Sequence, residues 1–172
     1  MCIRDRYLGW GDVGRFDTAL LKRNARSIYL DALKLRKVKV ERNRFWSQAV
    51  DKGILNWLIS RNIRVMSWDS KVDNTELMTI ANGLPQLQSL NIGYCGNINI
   101  GECGNITDAG IIALATGCSQ LQSLNISYCR NITDAGIRAL ATGCPQLQSL
   151  KTTGCQITVS GDKIAERINN RK

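Results

Sequence analysis

The chain has 172 residues, seven cysteines, no histidine and a net charge of +9. The missing histidine excludes Ser-His-Asp and Cys-His mechanisms of nucleophilic catalysis, together with the common histidine-containing zinc sites. No signal peptide or long apolar segment is visible, and the odd number of thiols fits a reducing cytosol or nucleus.

The first residues carry two features that we set aside. Residues 1–6, MCIRDR, resemble the in-frame translation of a transposon-end sequencing adaptor, so we expect them to be non-native and the native protein to extend further upstream. Gly9 to Gly14 matches GxGxxG. No strand leads into it and no βαβ unit follows, so a turn-rich lead-in is a better interpretation than a nucleotide site.

Residues 7–64 are predicted to form a basic helical cap or an F-box-like segment. Residues 1–64 carry 15 Lys or Arg and six Asp or Glu, whereas residues 65–172 carry eight of each. Apolar spacing predicts helices over Phe16 to Leu35 and Phe45 to Ile59, with a solvated helix end or loop at Lys34 to Arg44 between them. The apolar stripes would let this segment cover the open edge of the first repeat.

The basic run between the predicted helices leaves a second function open, the binding of nucleic acid or of an acidic partner. Its cations are Lys34, Arg36, Lys37, Lys39, Arg42 and Arg44. Basic runs can bind phosphate backbones. The aromatic residues fall in the apolar stripe instead of among these cations, so no stacking platform is evident and nucleic acid is the less favoured partner.

Residues 65–172 are repetitive. LQSL occurs at 87–90, 121–124 and 147–150, and residues 106–129 and 132–155 are near copies offset by 26 residues. Regular self-similarity at such a period marks a solenoid. We therefore predict an α/β solenoid, with a parallel sheet on one face and helices on the other.

One unit, residues 121–146, shows the order strand, turn, helix, turn. Leu124 and Ile126 alternate with a polar residue, which suits a short strand with one buried face. Thr133 is a helix-capping hydroxyl. A helical apolar stripe follows, and Gly143 is expected to end the helix in the left-handed conformation.

Degenerate copies upstream, including Val65 to Trp68, bring the expected total to about four strands and three helices, arranged as three to four units. The spacing between the first two LQSL motifs is 34 residues instead of 26. The excess lies at residues 95–106, where CGNI occurs twice. We expect this eight-residue insertion to form a loop between a strand and its helix, tolerated at small entropic cost, with a functional loop as the alternative.

The cysteines and the glycosylation sequons follow from the repeat. Cys95, Cys129 and Cys155 hold one repeat position, and Cys118 and Cys144 hold another. No CxxC pair is present, so buried structural thiols are favoured over metal or redox roles. Without a secretory signal, the sequons at Asn105, Asn125 and Asn131 carry little weight.

The consensus LxxLxIxxCxxITDxGIxxLATGCPxL resembles the cysteine-containing subclass of leucine-rich repeats. The resemblance covers residues 65–172 and implies a curved α/β solenoid. Many members are substrate receptors of cullin-type ubiquitin ligases, in which an F-box docks the ligase and the repeats hold the substrate. Phe16 to Leu58 has the length of an F-box but lacks its Leu-Pro opening, so it is F-box-like or a linker.

The resemblance implies an interaction module whose partners are a ubiquitination substrate and a cullin adaptor. The missing secretory signal and the odd number of thiols predict a cytoplasmic location, or alternatively a nuclear one. A leucine-rich-repeat scaffold or regulator outside a ligase is the alternative. No catalytic residue, cofactor, metal site or membrane segment is expected. The partner is expected on the concave sheet face, at Gln88, Ser89, Asn91, Tyr94, Gln122, Ser123, Asn125, Ser127, Tyr128, Gln148, Ser149, Lys151 and Thr153.

Overall fold

The structure, a computed structural model, describes residues 38–40, 55–60, 62, 64–69, 72–93 and 106–171. Its strands are β1 Val38–Val40, β2 Val65–Asp69, β3 Ser89–Asn91, β4 Ser123–Asn125 and β5 Ser149–Lys151. Its helices are α1 Asn74–Gly83, α2 Asp108–Gly117, α3 Asp134–Gly143 and α4 Val159–Asn169. Strand and helix alternate from β2 onward, as the repeat predicts.

The five strands form one parallel sheet in the order β1-β2-β3-β4-β5. From β2 to β5 the register holds without a shift, so equivalent residues of successive repeats are direct neighbours, as Ser89, Ser123 and Ser149 show. The order follows the chain because each short helix returns the chain one strand further along.

The core lies between the sheet and the helix layer. Leu124 in β4, its neighbours Leu121 and Ile126, and the helix residues Ile137 and Leu140 are all fully buried. Neither element could hide its apolar face alone, and burial of each such side chain stabilises the fold by about 1.5–3 kcal/mol. The leucine spacing of the repeat is thus the direct cause of the stack.

Helix N-termini are joined from one repeat to the next by a hydrogen-bonded ladder. The Asp108 carboxylate accepts from the backbone N–H of Thr133 at 2.9 Å and from its hydroxyl at 2.6 Å. Asp134 accepts from Thr158 in the same way, at 2.8 and 2.6 Å. Bonds from the Thr158 hydroxyl hold the pKa of the Asp134 carboxyl below its usual value. The repeated Thr-Asp pair therefore begins each helix and also links it to the neighbouring helix by hydrogen bonds.

The glycine that ends α3 acts differently from the prediction. Gly143 is the last residue of α3, and the left-handed residues of the described ranges are Asn62, Tyr128 and Gly154. A Cβ at Gly143 would overlap the carbonyl oxygen of Ala115 in α2. Glycine is needed here because the helices approach closely, not because the backbone turns left-handed.

The amino-terminal segment also departs from the prediction. Val38–Val40 lies within the run expected to be a solvated helix end or loop, but it forms β1 and pairs with β2. Residues 55–60 are helical, consistent with the second predicted helix, and Leu55 and Leu58 belong to the core. The first predicted helix lies outside the described residues.

Within residues 65–172 the expected four strands are present as β2 to β5, whereas the expected count of three helices was too low by one. The additional helix α4 begins after Thr158, whose hydroxyl accepts from the backbone N–H of Ser160. Gly161 packs against Asp134 as Gly136 packs against Asp108, so α4 repeats the pattern of α3 with a diverged sequence. The eight-residue insertion falls between β3 and α2, outside the described residues.

Candidate functional site

The face of the sheet opposite the helices carries two rows of polar side chains. Leu124 and Ile126 point into the core, so Ser123 and Asn125 lie on the other face, where both are half-buried. We call these two rows the sheet face: Ser67, Ser89, Ser123 and Ser149 in one, and Asp69, Asn91, Asn125 and Lys151 in the other. At a strand spacing of about 4.8 Å, each row spans about 14 Å.

The residues predicted to bind a partner differ in how far the solvent reaches them. Five are exposed, namely Gln122, Tyr128, Gln148, Lys151 and Thr153. Six are half-buried, namely Gln88, Ser89, Asn91, Ser123, Asn125 and Ser149. Tyr94 lies outside the described residues. The face is therefore more open toward β4 and β5 than toward β3.

Ser127 is buried, whereas the prediction placed it on the concave sheet face. Only 4% of its surface is exposed. Its backbone N–H donates to Asn125 Oδ1 at 3.0 Å, which folds the chain back directly after β4. Thr153 holds the same repeat position after β5 and is exposed.

The Asn125 side chain stabilises the repeat through contacts within the protein. Its side-chain oxygen accepts from Ser127, and a Cβ at Gly93 of the preceding repeat would overlap it. Asn125 thus fixes the strand-end turn and fills the space above Gly93. At the equivalent place in β5 the chain has Lys151, which has no acceptor for such a turn.

Tyr128 has an unusual backbone. Its φ is +67°, and the next repeat has a glycine, Gly154, with φ of +77° in the same position. A non-glycine residue in this region is strained by about 1 kcal/mol or more. The Tyr128 ring lies against Gly154, its backbone N–H donates to Thr153 O at 2.6 Å, and 44% of the residue remains exposed. The sequence predicted Tyr128 as an aromatic residue of the partner-binding face. Its left-handed backbone is indicated in the sequence only by the glycine at the same repeat position, Gly154.

Charge is unevenly placed along the sheet face. Asp69 lies in β2 at one end of its row and Lys151 in β5 at the other. The six cations of the basic run lie outside the described side chains; the backbone of Lys39 stands in β1 beside Ser67. The structure therefore describes a face with an acidic start, a neutral centre and a basic end.

The described cysteines are structural. Cys118, Cys129 and Cys144 are fully buried, and burial raises the pKa of the Cys118 and Cys129 thiols to about 12. Cys144 Sγ donates to the carbonyl oxygen of Cys118 at 3.6 Å, one repeat away. A buried thiol with a raised pKa is a poor nucleophile. In the part of the chain that the structure describes, no group of three or more His, Cys, Asp or Glu is placed to hold a metal ion.

A small cavity of about 130 Å³ lies between the helical residues 55–60 and α1, with Leu55, Asn56, Thr75, Glu76 and Thr79 around it. Ligand pockets are usually several times larger. Among the described helices, none combines the length and apolar character needed to cross a lipid bilayer.

Comparison with known proteins identifies the repeat. A family model described as a leucine-rich repeat matches residues 117–141, which run from the end of α2 through β4 into α3. No curated protein matches the chain. The matched segment is one strand-to-helix unit of a stack with a parallel sheet, and the fold is an α/β leucine-rich-repeat solenoid.

Proposed function

We propose that this chain is a protein-interaction module, and that its repeats form the substrate-recognition part of a cullin-type ubiquitin ligase. The observation that supports protein binding is the sheet face, in which two rows of polar side chains are aligned along an open surface. Solenoids present such extended surfaces to partners.

The chemistry of the sheet face suits a protein partner. A serine hydroxyl, which can both donate and accept, recurs on every strand from β2 to β5 over about 14 Å, and the second row has a carboxylate in β2 and an ammonium group in β5. The described cavity, at about 130 Å³, is too small for most ligands. A peptide segment or a flat protein surface can use the repeated donors and acceptors together, whereas a small molecule would contact few of them.

The ligase assignment is supported by the motif LxxLxIxxCxxITDxGIxxLATGCPxL, which resembles the repeats of F-box receptors. The segment ahead of the repeats is an F-box-like segment or a linker to an F-box. In either arrangement the repeats would hold the substrate while another part of the protein docks the ligase.

The first experiment tests the sheet face. The affinity-tagged chain is expressed in cells beside two variants, Ser123→Arg on the sheet face and Thr116→Arg on the exposed surface of α2. A bulky cation at the centre of the face should displace a bound protein, while the same cation on the helix layer should not. Proteins captured by wild type should therefore be lost with Ser123→Arg and kept with Thr116→Arg. Equal capture by all three proteins would place the partner elsewhere.

The second experiment tests the ligase assignment by repeating the capture with the protein expressed from its native amino terminus. Immunoblots of the captured fraction should contain a cullin adaptor when the native amino terminus is present. Recovery of other partners without a cullin adaptor would exclude the ligase assignment and leave protein binding intact.

A further inference from the structure

The outward side of the helix layer changes character from one end of the stack to the other. The second, fifth and ninth residues of α1 to α4 are exposed in every helix, so they form the outer surface of the layer. The fifth residues are Met78, Ile112, Arg138 and Lys163, and the ninth residue of α4 is Arg167. We call these five residues the outer helix strip. Its first half is apolar and its second half is basic.

The residues of the strip lie in line because the helices stack in a constant register. The third residue of α2, α3 and α4 is a glycine in each case, and a Cβ there would overlap the first residue of the preceding helix. Helices packed side by side lie about 8–10 Å apart. The four fifth residues therefore form a row about 25–30 Å long across the helix layer.

We propose that the outer helix strip binds an amphipathic acidic segment of a partner protein. Apolar side chains of the segment cover Met78 and Ile112, and its carboxylates pair with Arg138, Lys163 and Arg167. The strip lies on the opposite side of the solenoid from the sheet face. The inference thus goes beyond the function proposed above, because it adds a second binding surface.

The apolar half of the strip is the first support. Met78 is 40% exposed and Ile112 is 46% exposed, and they lie on neighbouring helices. The single charged residue of α2, Asp108, is bonded to Thr133 in the helix ladder. The outer side of a surface helix normally carries polar and charged residues. An uncharged outer side with two adjacent large apolar side chains indicates a surface that a partner covers.

Comparison of two helices shows that folding does not require this apolar side. The sequence of α2 is DAGIIALATG and that of α3 is DAGIRALATG, so they differ at one position, where Arg138 replaces Ile112. Both residues are exposed. The stack therefore accepts either residue at this position, and the isoleucine of α2 is better explained by binding than by folding.

The basic half of the strip is the second support. No acid occupies a second, fifth or ninth position of α1 to α4. Among the residues that the structure describes, Lys163 and Arg167 take part in no ion pair. Arg138 lies 3.9 Å from the carboxylate of Asp134, which already accepts from the Thr158 hydroxyl at 2.6 Å. The strip therefore has donors available for the carboxylates of a partner.

The exposed acids of α4 lie on a different side of the helix. Asp162 and Glu166 are its fourth and eighth residues. In α2 these positions hold Ile111 and Ala115, which face the following helix α3. Asp162 and Glu166 accordingly face the end of the described stack, and the cations of α4 face outward with the rest of the strip.

The mixed character of the strip favours a peptide over nucleic acid or a lipid surface. Nucleic acid binding depends on many phosphate contacts, of which three cations supply few. Binding to a lipid surface requires apolar side chains to enter by about 5–10 Å. More than half of the surface of Met78 and of Ile112 is hidden by the protein itself, so neither projects far. An amphipathic peptide uses both halves of the strip.

Two variants of the strip have matched controls. Arg138→Ile copies Ile112, so it removes a cation by placing a residue that the stack already accepts. Ile112→Glu places an acid where α3 carries another charged residue. The controls make the same changes outside the strip, since Arg130→Ile removes an exposed cation after β4 and Gln148→Glu adds an exposed acid beside β5. Thermal unfolding verifies that each variant is folded.

The probe is a random peptide library displayed on phage, selected on the immobilised full chain and depleted on immobilised Ile112→Glu. Enriched sequences should combine acidic and apolar residues. Synthetic copies measured by fluorescence anisotropy should bind Arg138→Ile, which takes no part in the selection, at least about tenfold more weakly than wild type. Both controls should bind them as wild type does. Added salt should weaken binding to wild type more than binding to Arg138→Ile.

Three results would overturn the inference. The first is enrichment of neutral or basic peptides, or of no peptide. The second is acidic peptides that bind Arg138→Ile as tightly as wild type. The third is cosedimentation of the chain with vesicles of phosphatidylcholine and phosphatidylserine that is lost in Arg138→Ile and Ile112→Glu, which would assign the strip to a membrane surface.

The sheet-face variant Ser123→Arg separates this inference from the proposed function. Peptides held by the strip should bind Ser123→Arg normally, and they should bind Thr116→Arg, which adds a cation to α2, at least as tightly as wild type. Loss of these peptides with Ser123→Arg would place them on the sheet face and contradict the strip. Equal capture of cellular proteins by wild type and Ser123→Arg would argue against the sheet face and leave the strip standing.

Discussion

At the scale of single residues, one carboxylate can hold two repeats together. Asp108 in α2 accepts from the Thr133 hydroxyl at 2.6 Å, from the Thr133 N–H at 2.9 Å and from the Gly136 N–H at 3.1 Å. Asp108→Ala would leave these donors of α3 without their acceptor. We expect a loss of about 1–3 kcal/mol in the free energy of unfolding, measured by urea denaturation.

Two further variants isolate the cause. In the preceding repeat, Asn74 Oδ1 accepts from the Thr107 N–H at 3.1 Å, and the Asn74 amide N–H donates to the Thr107 hydroxyl at 2.9 Å, so an asparagine joins the same two groups with the second bond reversed. Asp108→Asn should therefore retain most of the stability. Asp162→Ala removes an exposed acid from the first turn of α4 and should cost much less. Equal losses for Asp108→Ala and Asp162→Ala would show that the ladder contributes nothing beyond ordinary helix capping.

The thiols give a second prediction at this scale. Burial raises the pKa of Cys118 and Cys129 to about 12, and that of Cys155 to about 11, but Cys155 alone of these three is half-buried. The thiolate is the reactive form, so few molecules react near neutral pH. Among these three thiols, iodoacetamide labelling followed by mass spectrometry should modify Cys155 first and spare Cys118 and Cys129 until urea is added. Labelling of Cys118 in the folded protein as fast as Cys155 would contradict this.

At the scale of elements, the spacing of the helices depends on the glycine at their carboxyl ends. A Cβ at Gly143 would overlap the Ala115 carbonyl oxygen in α2, which is backbone and cannot rotate away. An exposed helical Gly→Ala change normally stabilises by about 1 kcal/mol. Here Gly143→Ala should instead destabilise by about 1–3 kcal/mol, because α3 must move away from α2.

The control for this prediction lies one residue away. Thr142→Ala changes an exposed residue of the same helix turn and should alter the melting temperature little. If Gly143→Ala raised the melting temperature, the close approach of α2 and α3 would not limit the packing of the stack.

The strands and helices of the repeats followed from the sequence because their signals are local. The alternation of Leu124 and Ile126 predicts which face of the strand is buried, and Thr133 predicts where the helix begins. The structure confirms both predictions. Gly143 was placed correctly at the helix end, but its reason involves another repeat. The strand Val38–Val40 was missed because its apolar residues stand in a basic run, and only pairing with β2 reveals it.

The candidate site was predictable in outline for the same reason. Alternation along β4 assigns Ser123 and Asn125 to the open face, as the structure confirms. Alternation fails at Ser127, because the chain leaves the strand after Asn125 and turns. The left-handed φ of Tyr128 is not visible in its own repeat, and comparison with Gly154 is the signal that could have shown it.

At the scale of the whole molecule, the folding stability of each repeat depends on its contacts with the neighbouring repeats. Each strand pairs only with adjacent strands, and each helix is tied to the next through its first residue. Stacks of this kind behave as nearly one-dimensional chains of coupled units. The outer edge of β5 is covered by Asn169, whose amide accepts from Leu150 N at 2.6 Å and donates to Leu150 O at 3.1 Å.

Arg171 closes the helix layer at the same end of the described stack. Its guanidinium donates to the carbonyl oxygens of Ala141 at 2.8 Å and Cys144 at 2.9 Å, where α3 ends. Burial leaves these carbonyls few other donors, so Arg171→Ala should loosen α3 and β5 by about 1–3 kcal/mol. Coupling weakens with each repeat crossed, so α1 should lose less protection than α3.

Hydrogen exchange measured by mass spectrometry tests this directly, because peptides from α1 and from α3 report separately. Arg167→Ala is the matched control, since Arg167 is an exposed arginine in the last turn of α4. It loses only a favourable interaction with the helix dipole, worth about 0.3–1 kcal/mol. We expect Arg171→Ala to accelerate hydrogen exchange more in α3 and β5 than in α1. With Arg167→Ala this acceleration should be much smaller. Equal acceleration in α1 and α3 would mean that the repeats unfold as one unit and that Arg171 stabilises the whole stack instead of its end.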